Sequence, residues 1–151
     1  MPDYFNDDFK DFLRAFNEAG VEYILVGGMA VILHGYIRTT GDMDVWVKRT
    51  ELNYNRIVIA LKDFGMPVFD MTLRNFLSDK FDVWSFGRKP VLIEIMTKLK
   101  GVDFDDAYAK ALYYAENNIP IRFLHISSLV EAKKASGRYK DLDDIDQLSK
   151  E

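Results

Sequence analysis

At 151 residues, with 48% hydrophobic and 14% aromatic residues, the chain can bury one sizeable core and has little room for a second. Charged residues make up 29% and the net charge is -4, which excludes the global basic field of many nucleic-acid binders and confines any such contact to a local patch. There is no cysteine and there are two histidines, so disulfides, thiolate metal sites and a zinc site built from histidine alone are excluded.

The first ten residues, MPDYFNDDFK, are acidic and lack the basic-then-apolar order of a signal peptide, and no apolar run reaches spanning length. These features predict a soluble, cytoplasmic protein with no membrane partner, built as one domain over 1–151. Phe5, Phe9, Phe12, Leu13 and Phe16 recur at helical spacing before Gly20, which predicts an amphipathic helix from about Asn6 to Ala19. VEYILV then reads as a strand running into Gly27-Gly28, and MAVILHG as a short helix. MDVWVK is the second strand. TELNYNRIVIALKDFG is a helix with Thr50 as its cap and Gly65 as its stop.

FDVWSF and VLIEIM flank the turn signal GRKP and read as a hairpin or two neighbouring strands. DFDDAYAKALYYAENN reads as a helix, followed by the extended piece IPIRFLHI. Ser128 and Glu131 have the spacing of a capping box for a helix that Gly137 ends, and KDLDDIDQLSK supplies a last helix. The order α-β-α-β-α-β-β-α-β-α-α predicts an α/β (α+β) domain, a mixed sheet with helices packed on it and helices at the C-terminus. Its core spans about 20–100 and its C-terminal helical part about 125–151.

Strand alternation points Asp42, Asp44 and Trp46 one way while Met43, Val45 and Val47 take the core. The two acids then stand roughly 7 Å apart at their Cα atoms, a separation that lets their carboxylates converge on hard cations such as Mg²⁺. The same alternation in VLIEIMT puts Leu92, Glu94 and Met96 on one face, with Glu94 the lone charge and the third carboxylate candidate. Asp82 in FDVWSF is its rival. Gly27 and Gly28, between a strand and a helix, allow close backbone approach of an anion. No Gly-Lys-Ser/Thr follows them, so a Walker-type loop is excluded.

LVGGMAVILHGYIRTTGDMDVWV resembles the signature of the DNA polymerase β-type nucleotidyltransferase superfamily: an apolar residue, Gly-Gly or Gly-Ser, a short helix and an Asp-x-Asp strand. VLIEIMTKLKGVDFDDAYAKA resembles its third-carboxylate segment. LVEAKKASGRYKDLDDIDQL is similar to the C-terminal helices of its small prokaryotic members, which include minimal nucleotidyltransferases and abortive-infection type toxins. The resemblance implies the nucleotidyltransferase fold and transfer of a nucleoside monophosphate from an NTP to a hydroxyl acceptor. Gly27 and Gly28 would hold the β- and γ-phosphates, and Asp42, Asp44 and Glu94 would bind two Mg²⁺ ions, about 4 Å apart in such two-metal displacements. Glu94 would also be placed to accept the hydroxyl proton, ligand and base being indistinguishable at this stage. In this chain the third acid is Glu where Asp is common, and Met29 follows the second glycine where a serine is frequent.

Lys133 lies four residues after Leu129 and three after Val130, on the apolar face of its helix, so it is either a snorkelling stem or a triphosphate contact. Arg38 either meets phosphate or acceptor nucleic acid, or neutralises Asp42. Arg138, Lys140, Asp141 and Asp144 read as pairs within and between the last helices, and His34 as a packed or surface residue. Trp46 either stacks on a base or packs on the sheet. EAKKASGRYK is a weak basic patch. The acceptor stays open among an RNA or tRNA end, a protein and a small molecule. At this length a partner protein or a homo-oligomer is expected to help recognise a large one. A catalytically silent nucleotide- or partner-binding module, antitoxin-like or regulatory, is the alternative.

Overall fold

The structure, a computed structural model, describes residues 5–36, 41–88 and 91–137. In chain order the elements are α1 (Asp7–Glu18), β1 (Tyr23–Val26), α2 (Gly27–Leu33), β2 (Asp42–Val47), α3 (Glu51–Phe64), α4 (Leu73–Leu77), β3 (Val83–Arg88) and β4 (Val91–Met96). α5 (Phe104–Lys110), β5 (Leu112–Glu116), β6 (Ile119–Phe123) and α6 (Ile126–Ser136) complete the described fold. The strands form one mixed sheet in the order β3-β4-β2-β1-β6-β5, an α+β architecture. β2 runs parallel to β4 and antiparallel to β1, while β1 is parallel to β6.

Alternation along the central strands divides the core into two layers. Met43, Val45 and Val47 of β2 join Ile93 and Ile95 of β4 on one face, under Phe12, Leu13 and Phe16 of α1 and Ile57 and Leu61 of α3. On the other face Ile24, Val26 and Trp46 pack with Ala107 of α5 and Leu129 of α6. Asp42, Asp44 and Glu94 belong by parity to this second face.

α3 is bounded as its sequence dictates: the Thr50 side chain accepts from the Asn53 amide, and Gly65 closes the helix at φ 88°. Asn53 is fully buried and ties α3 to two strand ends. Its Oδ1 accepts from the Glu22 amide at 2.8 Å, and its Nδ2 donates to the carbonyls of Lys48 at 2.8 Å and Glu22 at 3.1 Å.

The structure corrects three expectations. The helix predicted over DFDDAYAKALYYAENN stops at Lys110, because Ala111 turns extended (φ -58°, ψ 147°) and Leu112–Glu116 becomes β5. Asn117 and Asn118 then take positive φ, 51° and 63°, the left-handed conformation that a two-residue hairpin turn demands, and β5 pairs antiparallel with β6. The capping box does not form. His125 is the cap, its side chain accepting from the Ser127 amide, while Ser128 is buried inside the first turn. α4, capped by Thr72, is an additional short helix. Arg38 and the predicted last helix, with Arg138, Lys140, Asp141 and Asp144, lie outside the described residues. Among the described residues no helix is long and apolar enough to cross a membrane.

Candidate active site

β1 passes into α2 without a connecting loop. Val26 is extended, and Gly27, the first residue of the helix, has φ 68°. Two independent constraints exclude a side chain at this position. The left-handed φ disfavours one, and a Cβ would overlap the carboxylate of Asp44, with Asp44 Cγ only 3.1 Å away. The first glycine is therefore needed to admit the acid on the neighbouring strand, a packing reason that the sequence pattern does not reveal. Gly28 follows within α2.

Asp44 pairs with Val26 of β1 on one side and with Glu94 of β4 on the other, and Glu94 pairs in turn with Ser85 of β3. Asp42, opposite Leu92, lies two residues back along the same face. All three acids are half-buried. Glu94 is thus the carboxylate in register with Asp44, on a strand about 4.8 Å away. Asp82 lies at the other end of β4, where its carbonyl accepts from the Thr97 amide. Among the described residues no three His, Asp or Glu side chains stand close enough together to hold a metal ion by themselves.

A cavity of about 210 Å³ opens beside this face, lined by Gly27, Asp44, Lys98, Lys100, Leu129 and Lys133 among others. Lys133 is buried, at 8% exposure, and so brings a cation from α6 to the same cavity as the first glycine and the second acid. Lys98 and Lys100 are the residues that pattern reading missed. Their signal is T-K-L-K-G directly after the β4 strand, two lysines at strand spacing following the third acid. Gly101 (φ 84°) turns this segment, and a Cβ there would come within 2.7 Å of Ala135 Cβ, so the lysine loop is seated directly on α6.

Lys98 also reaches Asp79 at 3.7 Å, beside Arg49, whose Nη1 donates to the same carboxylate at 2.8 Å. The Arg49 hydrogen bond, aided by the two positive charges, holds the Asp79 carboxyl below its ordinary pKa.

His34 has a structural role: its Nε2–H donates to the Leu124 carbonyl at 2.7 Å and its ring meets Phe123 edge-on. Trp46 is 1% exposed and meets the Phe104 ring edge-on at 5.1 Å, so its ring is committed to packing rather than to stacking on a base. In EAKKASGRYK, Lys133 turns inward and Lys134 outward; the residues after Gly137 lie outside the described residues. No family model matches the sequence, and no curated protein matches it.

Proposed function

We propose that this chain is a Mg²⁺-dependent nucleotidyltransferase that moves a nucleoside monophosphate from an NTP onto a hydroxyl acceptor and releases pyrophosphate. The acceptor is an RNA or tRNA end, a protein or a small molecule, and the setting a toxin–antitoxin or phage-defence system. The observation that carries this reading is the row formed by Gly27, Asp44 and Glu94 on adjacent elements, in which the glycine leaves room for the Asp44 carboxylate.

Asp42, Asp44 and Glu94 would hold magnesium. Mg²⁺ is commonly bound by one or two carboxylates and completes its shell with phosphate oxygens and water, so a shared acidic face without a closed three-acid cage fits the ion in the company of a triphosphate. When bound, the metal lowers the pKa of a hydroxyl and offsets charge on the phosphoryl oxygens. Glu94 accepts the proton of the acceptor hydroxyl. The hydroxyl oxygen bonds to the α-phosphorus, the bond from that phosphorus to its β-bridging oxygen breaks, and pyrophosphate departs. Gly27 and Gly28 present backbone to the β- and γ-phosphates. Lys98, Lys100 and Lys133 place positive charge where the leaving group gathers its negative charge. Arg38 is assigned to the same phosphates or to the acceptor. A partner protein or a second copy of the chain supplies further recognition of a large acceptor.

Glu94, one methylene longer than the Asp common as third acid in the superfamily that the sequence resembles, favours a second reading, a nucleotide- or partner-binding module without transfer. One experiment separates the two. The full chain is incubated with Mg²⁺, each labelled NTP in turn, and pools of RNA, protein extract and small hydroxyl compounds. Transfer predicts label in one pool with matching pyrophosphate release. Calorimetric NTP binding without either product establishes nucleotide binding without transfer, and absence of NTP binding rejects the transferase and leaves only the partner-binding form of the second reading.

A further inference from the structure

A second cleft, of about 690 Å³, adjoins the cavity beside the acids, and Lys98, Leu99 and Lys100 line both. Its other lining residues include Trp46, Thr97, Val102 and Phe104, with Arg49 among the polar ones. Trp46 and Thr97 are 1% and 8% exposed, yet Trp46 Nε1 and Thr97 Oγ1 have no hydrogen-bond partner among the described residues. A buried donor left unmatched carries a substantial desolvation penalty, and native structures rarely leave two in one place without a ligand or water to meet them. The indole N–H can only donate, whereas the hydroxyl can donate or accept. The complementary ligand must therefore offer a hydrogen-bond acceptor at its edge and a flat apolar face toward Phe104, Val102 and Leu99.

We infer that this second cleft binds the nucleobase of the donor nucleotide, with a ring carbonyl or ring nitrogen accepting from Trp46 Nε1–H and a further edge atom meeting the Thr97 hydroxyl. The inference rests on the nucleotidyltransferase reading and extends it to the specificity of the same site. The shared wall explains the arrangement. A nucleotide with its outer phosphates beside Gly27 and Lys133 passes Lys98 and Lys100 on its way to the base cleft, so one lysine loop contacts both ends of the ligand. The ring of Trp46 is already covered by Phe104, so it reads the base edge-on through its N–H.

The chain has two tryptophans, Trp46 and Trp84, so the indole N–H resonance of Trp46 can be followed in ¹⁵N-labelled protein and assigned by its contacts to Phe104. The full chain is titrated without metal with adenosine, guanosine, cytidine and uridine, and with ribose and inorganic pyrophosphate as controls. At least one nucleoside is expected to move the Trp46 resonance downfield while ribose and pyrophosphate leave it in place. Thr97→Val, close in shape, is expected to weaken that nucleoside by about three- to tenfold, the effect of one lost hydrogen bond. A resonance that none of the four nucleosides moves, a shift equal with ribose, or unchanged affinity in Thr97→Val overturns the assignment. The titration itself reads no transfer, so nucleoside binding here together with no pyrophosphate release in the separate incubation with Mg²⁺ and NTP leaves the base cleft standing and rejects the transferase. Transfer with an unmoved Trp46 does the reverse.

Discussion

Asp44 and Glu94 are direct neighbours on adjacent parallel strands, β2 and β4, on the sheet face that also carries Asp42. Two half-buried carboxylates side by side repel unless a cation lies between or near them. Removing either charge is therefore expected to abolish transfer, and removing that of Glu94 to leave folding intact or slightly improved. For Asp44→Asn and Glu94→Gln, transfer should fall by at least ~100-fold, and the thermal midpoint of Glu94→Gln should hold or rise. A variant that loses its fold together with its activity assigns the acid to structure instead.

Gly27→Ala tests the space that the glycine provides. The left-handed φ costs an alanine about 1–2 kcal/mol, and the added Cβ pushes the Asp44 carboxylate aside. Denaturation should show that modest loss, whereas transfer should drop by ~100-fold or more as Asp44 leaves its position. Activity near that of the parent would show that Asp44 can act from elsewhere.

Lys133→Met keeps most of the side-chain volume and removes the charge from a buried site. The KM for NTP should rise about tenfold, the signature of a lost ground-state contact to phosphate. An unchanged KM would reduce Lys133 to a packing stem.

Asn53→Ala leaves the Glu22 amide and the Lys48 carbonyl without their side-chain partner in a part-buried setting, while the Glu22 carbonyl keeps only the Lys48 amide at 3.2 Å. Equilibrium unfolding should show a loss of about 2–4 kcal/mol. The effect belongs to the far ends of β1 and β2, so nucleotide binding by the folded fraction should persist.

Stability above pH 10 is set in part by Tyr23. Burial pushes its phenol from 10.0 up to about 12, against the opposing influence of Arg122, and its hydroxyl donates to Asn17 Oδ1 at 3.0 Å. The unfolded chain loses the phenolic proton near pH 10 while the folded chain retains it. The stabilisation is thus complete below pH 10 and is lost as pH rises toward 12, by about 2–3 kcal/mol. Tyr23→Phe should flatten the unfolding midpoint over this range, with a residual slope from Tyr54, whose pKa burial also raises.

Local chemistry was legible wherever one segment decides its own structure. Thr50 and Gly65 bound α3, Gly137 ends α6, and strand parity sorted Met43, Val45 and Val47 from Asp42, Asp44 and Trp46. Legibility failed where a segment satisfies two periods. Leu112–Glu116 follows a helix of good formers and carries apolar residues that suit either state, so only pairing with the distant β6 decides for a strand. The candidate site was legible as residue types, but its closure was not. That Gly27 yields space to Asp44, and that Lys98 and Lys100 share a cavity with Lys133, depends on contacts between elements far apart in the chain.

The parallel pairing of β2 with β4 has a consequence for the order of assembly. α3, α4 and β3 all intervene between Asp44 and Glu94, and no short hairpin can bring the two strands together. The β3–β4 hairpin closes locally, but Glu94 meets Asp44 only when that hairpin docks onto β2 after a long loop has closed, a slow step in chain kinetics. A nascent or proteolytically clipped chain therefore carries the acids without the paired site, and any activity that depends on both arises only once the sheet is complete.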